Sequence, residues 1–188
     1  MHQDQVRNAI SASAPGRTAN GGVARLAAEI AAACEGGFDT MSERMKAALK
    51  CAAADPTLLN LKQRELKAEC YARHVIHSDP AGRFTILAIV WASGQFSPPH
   101  AHHTWCAYAV HENPLEETIY RFDPETSTAA FVATEARNPG YSCFAGAGLD
   151  QIHRLGNSGS KPAISIHVYG VESVLINTHV NRILSVAK

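Results

Sequence analysis

Residues 83–91 read Arg-Phe-Thr-Ile-Leu-Ala-Ile-Val-Trp, and after Thr85 the run is apolar at odd and even positions alike. Successive side chains of a strand point to opposite faces, so such a run predicts a β-strand covered on both sides. Working outward, residues 104–112, 117–122, 129–134 and 162–169 form comparable runs separated by Gly, Pro, Asn and Asp. Many strands without helices between them imply an antiparallel sandwich or small barrel. The expected fold is mainly β.

Upstream the texture is helical. Val23, Leu26, Ile30 and Cys34 recur at spacings of three and four, a single apolar stripe that Gly36-Gly37 should stop. Thr40 followed by Glu43 reads as a capping box ahead of the stripe Met41, Met45 and Leu49. Asp55-Pro56 should end that helix and start a third. The residues before Val23 read as a loosely ordered leader. The expected organisation is a leader over residues 1–22 and one domain over 23–188, with a helical extension at 23–70 and a β-barrel at 71–188.

Composition narrows the function. The chain has 188 residues, with 17 Lys+Arg balanced by 17 Asp+Glu, so it lacks the basic excess a duplex nucleic-acid binder needs. Five cysteines, odd in number and without CxxC spacing, indicate neither a disulfide framework nor a Cys-rich zinc site and suit a reducing cytoplasm. No apolar run approaches the roughly 18 to 20 residues of a membrane span. Ten histidines stand out, because imidazole is the commonest transition-metal ligand.

Their positions matter more than their number. In a strand, His100 and His102 would share a face and can bind one ion, while His103 points away. Ser165, His167 and Tyr169 likewise share strand parity, and their hydroxyl, imidazole and phenol can form a hydrogen-bonded relay. Gly94-x5-His100-x-His102 resembles the first metal motif of the cupin superfamily. In the stretch 148–157, His153 follows a turn-like Gly/Asp segment and precedes Asn157 by four positions, which resembles the second. The glutamate expected soon after the second histidine is absent, and Cys106 stands in its place. Three neutral imidazoles leave the full charge of a divalent ion, with three positions open, and such a centre favours a thiolate ligand.

Taken together, the His-x-His, the later His and the Ser-x-His-x-Tyr resemble the cysteine dioxygenase family of iron-dependent thiol dioxygenases, small cupins with helices ahead of the jelly-roll barrel. The resemblance implies that His100, His102 and His153 bind Fe(II) and that Ser165, His167 and Tyr169 are an outer-sphere relay. It implies that Cys106 is the position joined by a thioether to the relay tyrosine in animal members, although the spacing from His100 is one residue shorter here, which leaves the Cys106–Tyr169 link open. Tyr71-Ala72-Arg73 is similar to the family's Tyr-x-Arg segment, whose Arg holds the substrate carboxylate. A guanidinium fork suits that task. Leu115-Glu116-Glu117-Thr118 also matches a family stretch and is read as turn and strand, with Glu117 not a ligand. The implied reaction is conversion of a small thiol carboxylic acid, L-cysteine first, to its sulfinic acid with O2. 3-Mercaptopropionate and mercaptosuccinate are alternatives, the latter drawing a second cation from His74 or Arg83. A zinc-dependent lyase or hydrolase and a non-enzymatic cupin sensor are the rivals of other classes. Nothing in the sequence fixes the oligomeric state.

Overall fold

The computed structural model describes residues 21–187. Most of the expected leader lies outside the described residues; its last two, Gly21 and Gly22, instead open helix α1 (Gly21–Cys34), whose Val23, Leu26 and Ile30 are buried as the stripe predicts. Helix α2 (Phe38–Ala53) buries Met41, Met45 and Leu49. The capping box expected at Thr40 and Glu43 is not formed. The helix starts two residues before Thr40, at an N-cap Gly37 without a side-chain bond, and Glu43 instead pairs with Lys46 at 2.6 Å. A third helix does not start at Asp55 either. The Asp55 carboxylate closes one turn by accepting from the N–H and hydroxyl of Thr57, and Leu58 and Leu59 then dive into the core. Only a 3₁₀ turn follows, at Leu61–Arg64, capped by Asn60 and Gln63.

Ten strands come next: β1 (Ala72–Ser78), β2 (Thr85–Trp91), β3 (His100–His102), β4 (Cys106–Glu112), β5 (Leu115–Asp123), β6 (Thr128–Arg137), β7 (Ser142–Ala145), β8 (Gly148–Gly156), β9 (Ala163–Tyr169) and β10 (Asn181–Ile183). They form two five-stranded sheets, ordered β1-β2-β9-β4-β7 and β10-β3-β8-β5-β6, with neighbouring strands antiparallel. This is the cupin jelly roll with an N-terminal helical extension. The Gly/Asp segment read as turn-like ahead of His153 instead opens strand β8, its Gly148 at φ 118°, a conformation L side chains rarely adopt.

All seven residues of β2 are buried, and the two parities explain why. Ile86, Ala88 and Val90 join Met45 and Leu49 in the core beneath the helices, whereas Leu87, Ile89 and Trp91 face the barrel interior with Cys106 and Tyr108. Strand β9 repeats the arrangement, with Ile164, Ile166 and Val168 on the helix side. Its other face therefore delivers Ser165, His167 and Tyr169 inward. The helical extension is the outer cover of the sheet that carries them. Leu49→Ala should accordingly cost about 2–5 kcal/mol in denaturant unfolding, by lost burial plus a cavity, while exposed Lys50→Ala stays within about 0.5 kcal/mol of wild type.

Candidate metal centre

Two strand pairings assemble the histidines. His100 and His102 sit on one face of β3, and β8 places His153 directly opposite His100. Each ring offers one nitrogen, and the three nitrogens lie within 4.8 Å of one another. His103 is exposed, as its parity predicts. His100 Nδ1 donates to the Pro98 carbonyl at 2.8 Å, and His153 Nδ1 donates to Glu117 Oε1 at 2.6 Å. Each bond fixes the tautomer and leaves Nε2 with its lone pair. His102 Nδ1 is buried with no hydrogen-bond partner. Burial pushes the pKa of His100 down to about 3 and that of His102 well below its ordinary value, with the neighbouring imidazoles adding to the effect. Neutral, preoriented imidazoles are the form that binds a transition metal, so the donor set fits a divalent ion.

Glu117, which the sequence presents only as part of a turn and strand, organises the site. It lies on β5, where Leu115, Glu117 and Ile119 share a parity, and an acid among inward apolar residues is the signal that could have singled it out. Its second oxygen accepts from Arg137 Nε at 2.7 Å, and Arg137 also pairs with Glu135. Burial alone would raise the Glu117 pKa, but the bonds from His153 and Arg137 hold it below the usual carboxylate range. An ionised, anchored carboxylate thus grips one imidazole of the cluster.

The relay residues are joined as their parity suggests. Trp91 Nε1 donates to Ser165 Oγ at 2.9 Å, Ser165 Oγ lies 2.8 Å from His167 Nε2, and the Tyr169 hydroxyl lies 3.2 Å from His167 Nδ1. Indole can only donate and occupies one lone pair of Ser165 Oγ; with the Ser165 hydroxyl donating to Nε2, neutral His167 donates from Nδ1 to the Tyr169 oxygen. Burial, reinforced by nearby His153 and His102, holds His167 well below its ordinary pKa, and burial holds the Tyr169 phenol protonated. In that tautomer the Tyr169 proton is left for a group outside the chain Trp91-Ser165-His167. Trp91, missed in the sequence, is the fixed donor at the head of this chain.

Arg73 on β1 joins Tyr71, His100, His153, His167 and Tyr169 around one cleft. Its guanidinium donates to the Ile176 carbonyl at 3.1 Å and to Asn177 Oδ1 at 3.3 Å. Tyr71 packs on Trp91 with ring centroids 4.5 Å apart. Cys106 is buried directly opposite Tyr169 across β4 and β9, within hydrogen-bonding reach of the phenol despite the shortened spacing from His100. A larger cavity of about 240 Å³ adjoins His102 and His153 from the side of Cys106, Tyr108 and Cys143. The second cation expected from His74 or Arg83 is not in the cleft: Arg83 is held by Asp79 and Glu35, and His74 bonds the Glu65 carbonyl.

Two outcomes follow from these contacts. Glu117→Gln should weaken metal binding about 10- to 100-fold, read by competition with a chromogenic chelator, because His153 loses its anionic anchor. Buried neutral imidazoles take up protons only on unfolding, so the contribution of His100, His102 and His167 to stability is complete above pH ~6.5 and falls as pH drops below it, by up to about 1.4 kcal/mol per pH unit for each. Thermal melts of metal-free protein should therefore shift down steadily from pH 7.5 to 5.5; a flat profile would contradict their neutral burial.

Among solved structures, the chain is similar to TT1209 from Thermus thermophilus, at 19% identity over 60% of this chain and 95% of that one, with a TM-score of 0.47. It is also similar to an RmlC-like cupin family protein with a double-stranded β-helix fold from Methanocaldococcus jannaschii, at 12% identity over 61% and 94%, with a TM-score of 0.42. A comparison with known families matches residues 44–179 to cysteine dioxygenase type I. That match spans well over half of the chain, takes in the three histidines, Glu117, Arg73 and the relay, and establishes that the chain belongs to the cysteine dioxygenase type I family.

Proposed function

We propose that the protein is an iron(II)-dependent thiol dioxygenase that converts a small thiol carboxylic acid, L-cysteine first, to its sulfinic acid. The observation that carries this reading is one cleft shared by Arg73, Tyr169 and two of the three clustered histidines. His100, His102 and His153 would hold the metal, which when bound supplies the activation of O2 and a positive charge that favours thiolate over thiol. In the overall reaction both oxygen atoms join the sulfur, which is oxidised by four electrons as O2 is reduced by four.

The protein's own groups position and protonate. Arg73 would grip the carboxylate, with its fork already aimed by Ile176 and Asn177. Tyr169 would donate its proton to the reacting sulfur or oxygen, which requires the tautomer in which Ser165 donates to His167 and His167 to the phenol oxygen. Cys106, opposite Tyr169, offers its thiol as the thioether partner. All five cysteines are free, in keeping with a cytoplasmic setting, and no helix among the described residues is long and apolar enough to cross a membrane.

Mass spectrometry of thiol products from the iron-loaded protein tests the reading. A gain of about 32 Da on L-cysteine, 3-mercaptopropionate or mercaptosuccinate supports it, and no gain on any of them overturns it. Arg73→Ala should lower kcat/KM for the preferred acid about 10- to 100-fold, the worth of a hydrogen bond to a charged group.

A further inference from the structure

The cleft contains a polar atom that the rest of the chain leaves unsatisfied. Asn181, on β10, pairs directly with His102 on β3, and residues directly opposite in an antiparallel pair project to the same face. Asn181 therefore stands beside the clustered histidines and lines the cleft with Arg73 and Tyr169. Its neighbour Arg182 takes the other parity and is exposed. The Asn181 Oδ1 atom is buried and has no hydrogen-bond partner. A buried acceptor without a donor is costly unless something that binds there supplies one.

The surroundings define that missing donor. Beside Asn181 in the cleft stand the Arg73 guanidinium, a donor, and the Tyr169 hydroxyl, while the Nε2 lone pairs of His100 and His153 are kept for the metal. A ligand that satisfies both side chains needs a carboxylate for Arg73 and an N–H donor for Asn181. Arg73 is the only Lys or Arg among the residues lining this cleft, and the nearby candidates Arg83 and His74 are engaged elsewhere.

We propose that Asn181 Oδ1 accepts a hydrogen bond from the substrate's amino group, which makes Asn181 the residue that selects an α-amino thiol acid over a plain thiol acid or a thiol dicarboxylate. This rests on the dioxygenase reading and adds a second anchor to it. Arg73 is tethered to Ile176 and Asn177, and Asn181 follows four residues later, so one short segment sets the positions of both the carboxylate holder and the amine acceptor.

Cysteine and 3-mercaptopropionate differ only by the amino group, so the pair isolates the contact. Calorimetric titration of iron(II)-loaded protein without O2 should show L-cysteine binding more tightly than 3-mercaptopropionate or mercaptosuccinate. Asn181→Leu should raise the Kd for L-cysteine about tenfold and leave that for 3-mercaptopropionate within about twofold. Asn181→Ser, whose hydroxyl is too short to reach the ligand, should do the same and serves if the leucine variant does not fold. Equal weakening of both acids, no change for cysteine, or a loss confined to mercaptosuccinate would each overturn the assignment. A wild-type enzyme that oxidises 3-mercaptopropionate in preference to cysteine would overturn it while leaving the dioxygenase reading intact; absence of oxygen transfer to any of the three thiols would remove the dioxygenase reading itself.

Discussion

A strand with isoleucine and valine on one face and Ser165, His167 and Tyr169 on the other needs two different environments, and much of this fold is arranged to provide them. Packing α1 and α2 against one side of the sheet buries Ile164, Ile166 and Val168 with the helix stripes. The polar row is thereby committed to the barrel interior, where it has almost no access to water. Buried polar groups must find partners there. They find them along the row itself and in the indole of Trp91. The same burial that makes these bonds obligatory keeps His167 neutral and Tyr169 protonated.

The histidine cluster obeys the same rule with a different solution. Its rings are drawn together by the β3–β8 pairing, and desolvation suppresses charge on His100 and His102. Among the described residues, the carboxylate in contact with a clustered ring is Glu117, a bond away from the cluster and itself paired with Arg137. Many cupins place an acid directly among the ligands; here Cys106 occupies that sequence position and turns toward Tyr169 instead. The result is a set of neutral donors with Glu117 and its Arg137 partner behind them. An ion held there keeps its charge for its exogenous ligands, which favours an anionic sulfur.

What could be read from the sequence was whatever strand parity controls locally. The alternation in 83–91 and 163–169, and the shared face of His100 and His102, require only neighbours one or two positions apart. Contacts that depend on register between distant strands were not legible. Glu117 meets His153 across 36 residues and Trp91 meets Ser165 across 74, and no local pattern encodes either distance. The helical errors have another cause. The Thr40–Glu43 and Asp55-Pro56 signals are real capping chemistry, but burial of Met41 and Met45 in one case and of Leu58 and Leu59 in the other decided how the chain runs there. Tertiary burial outweighs a cap worth about 1 kcal/mol. Asn181 was invisible for a third reason: a three-residue strand has too short a pattern to announce itself, and its face is defined only by pairing with β3.

That short strand also shows how a cleft can be built late in the chain and still be firm. The segment after β9 is tied to the first sheet by Thr85, whose hydroxyl donates to the Val171 carbonyl, and by Arg73 through Ile176 and Asn177. It is tied to the second sheet by backbone bonds from His103 to Val180 and from Leu184 to Pro99. Pro99 follows the residue whose carbonyl orients His100, so the strap, the histidine and the arginine are all fixed by bonds within a few residues of one another. A loop held at one end would leave Arg73 and Asn181 free to separate, and two anchors that drift apart cannot discriminate among small ligands that differ by a single group. Being stitched to both sheets holds them at a fixed spacing against the histidine face, which is the condition for selecting substrates by where their charged groups lie rather than by size alone.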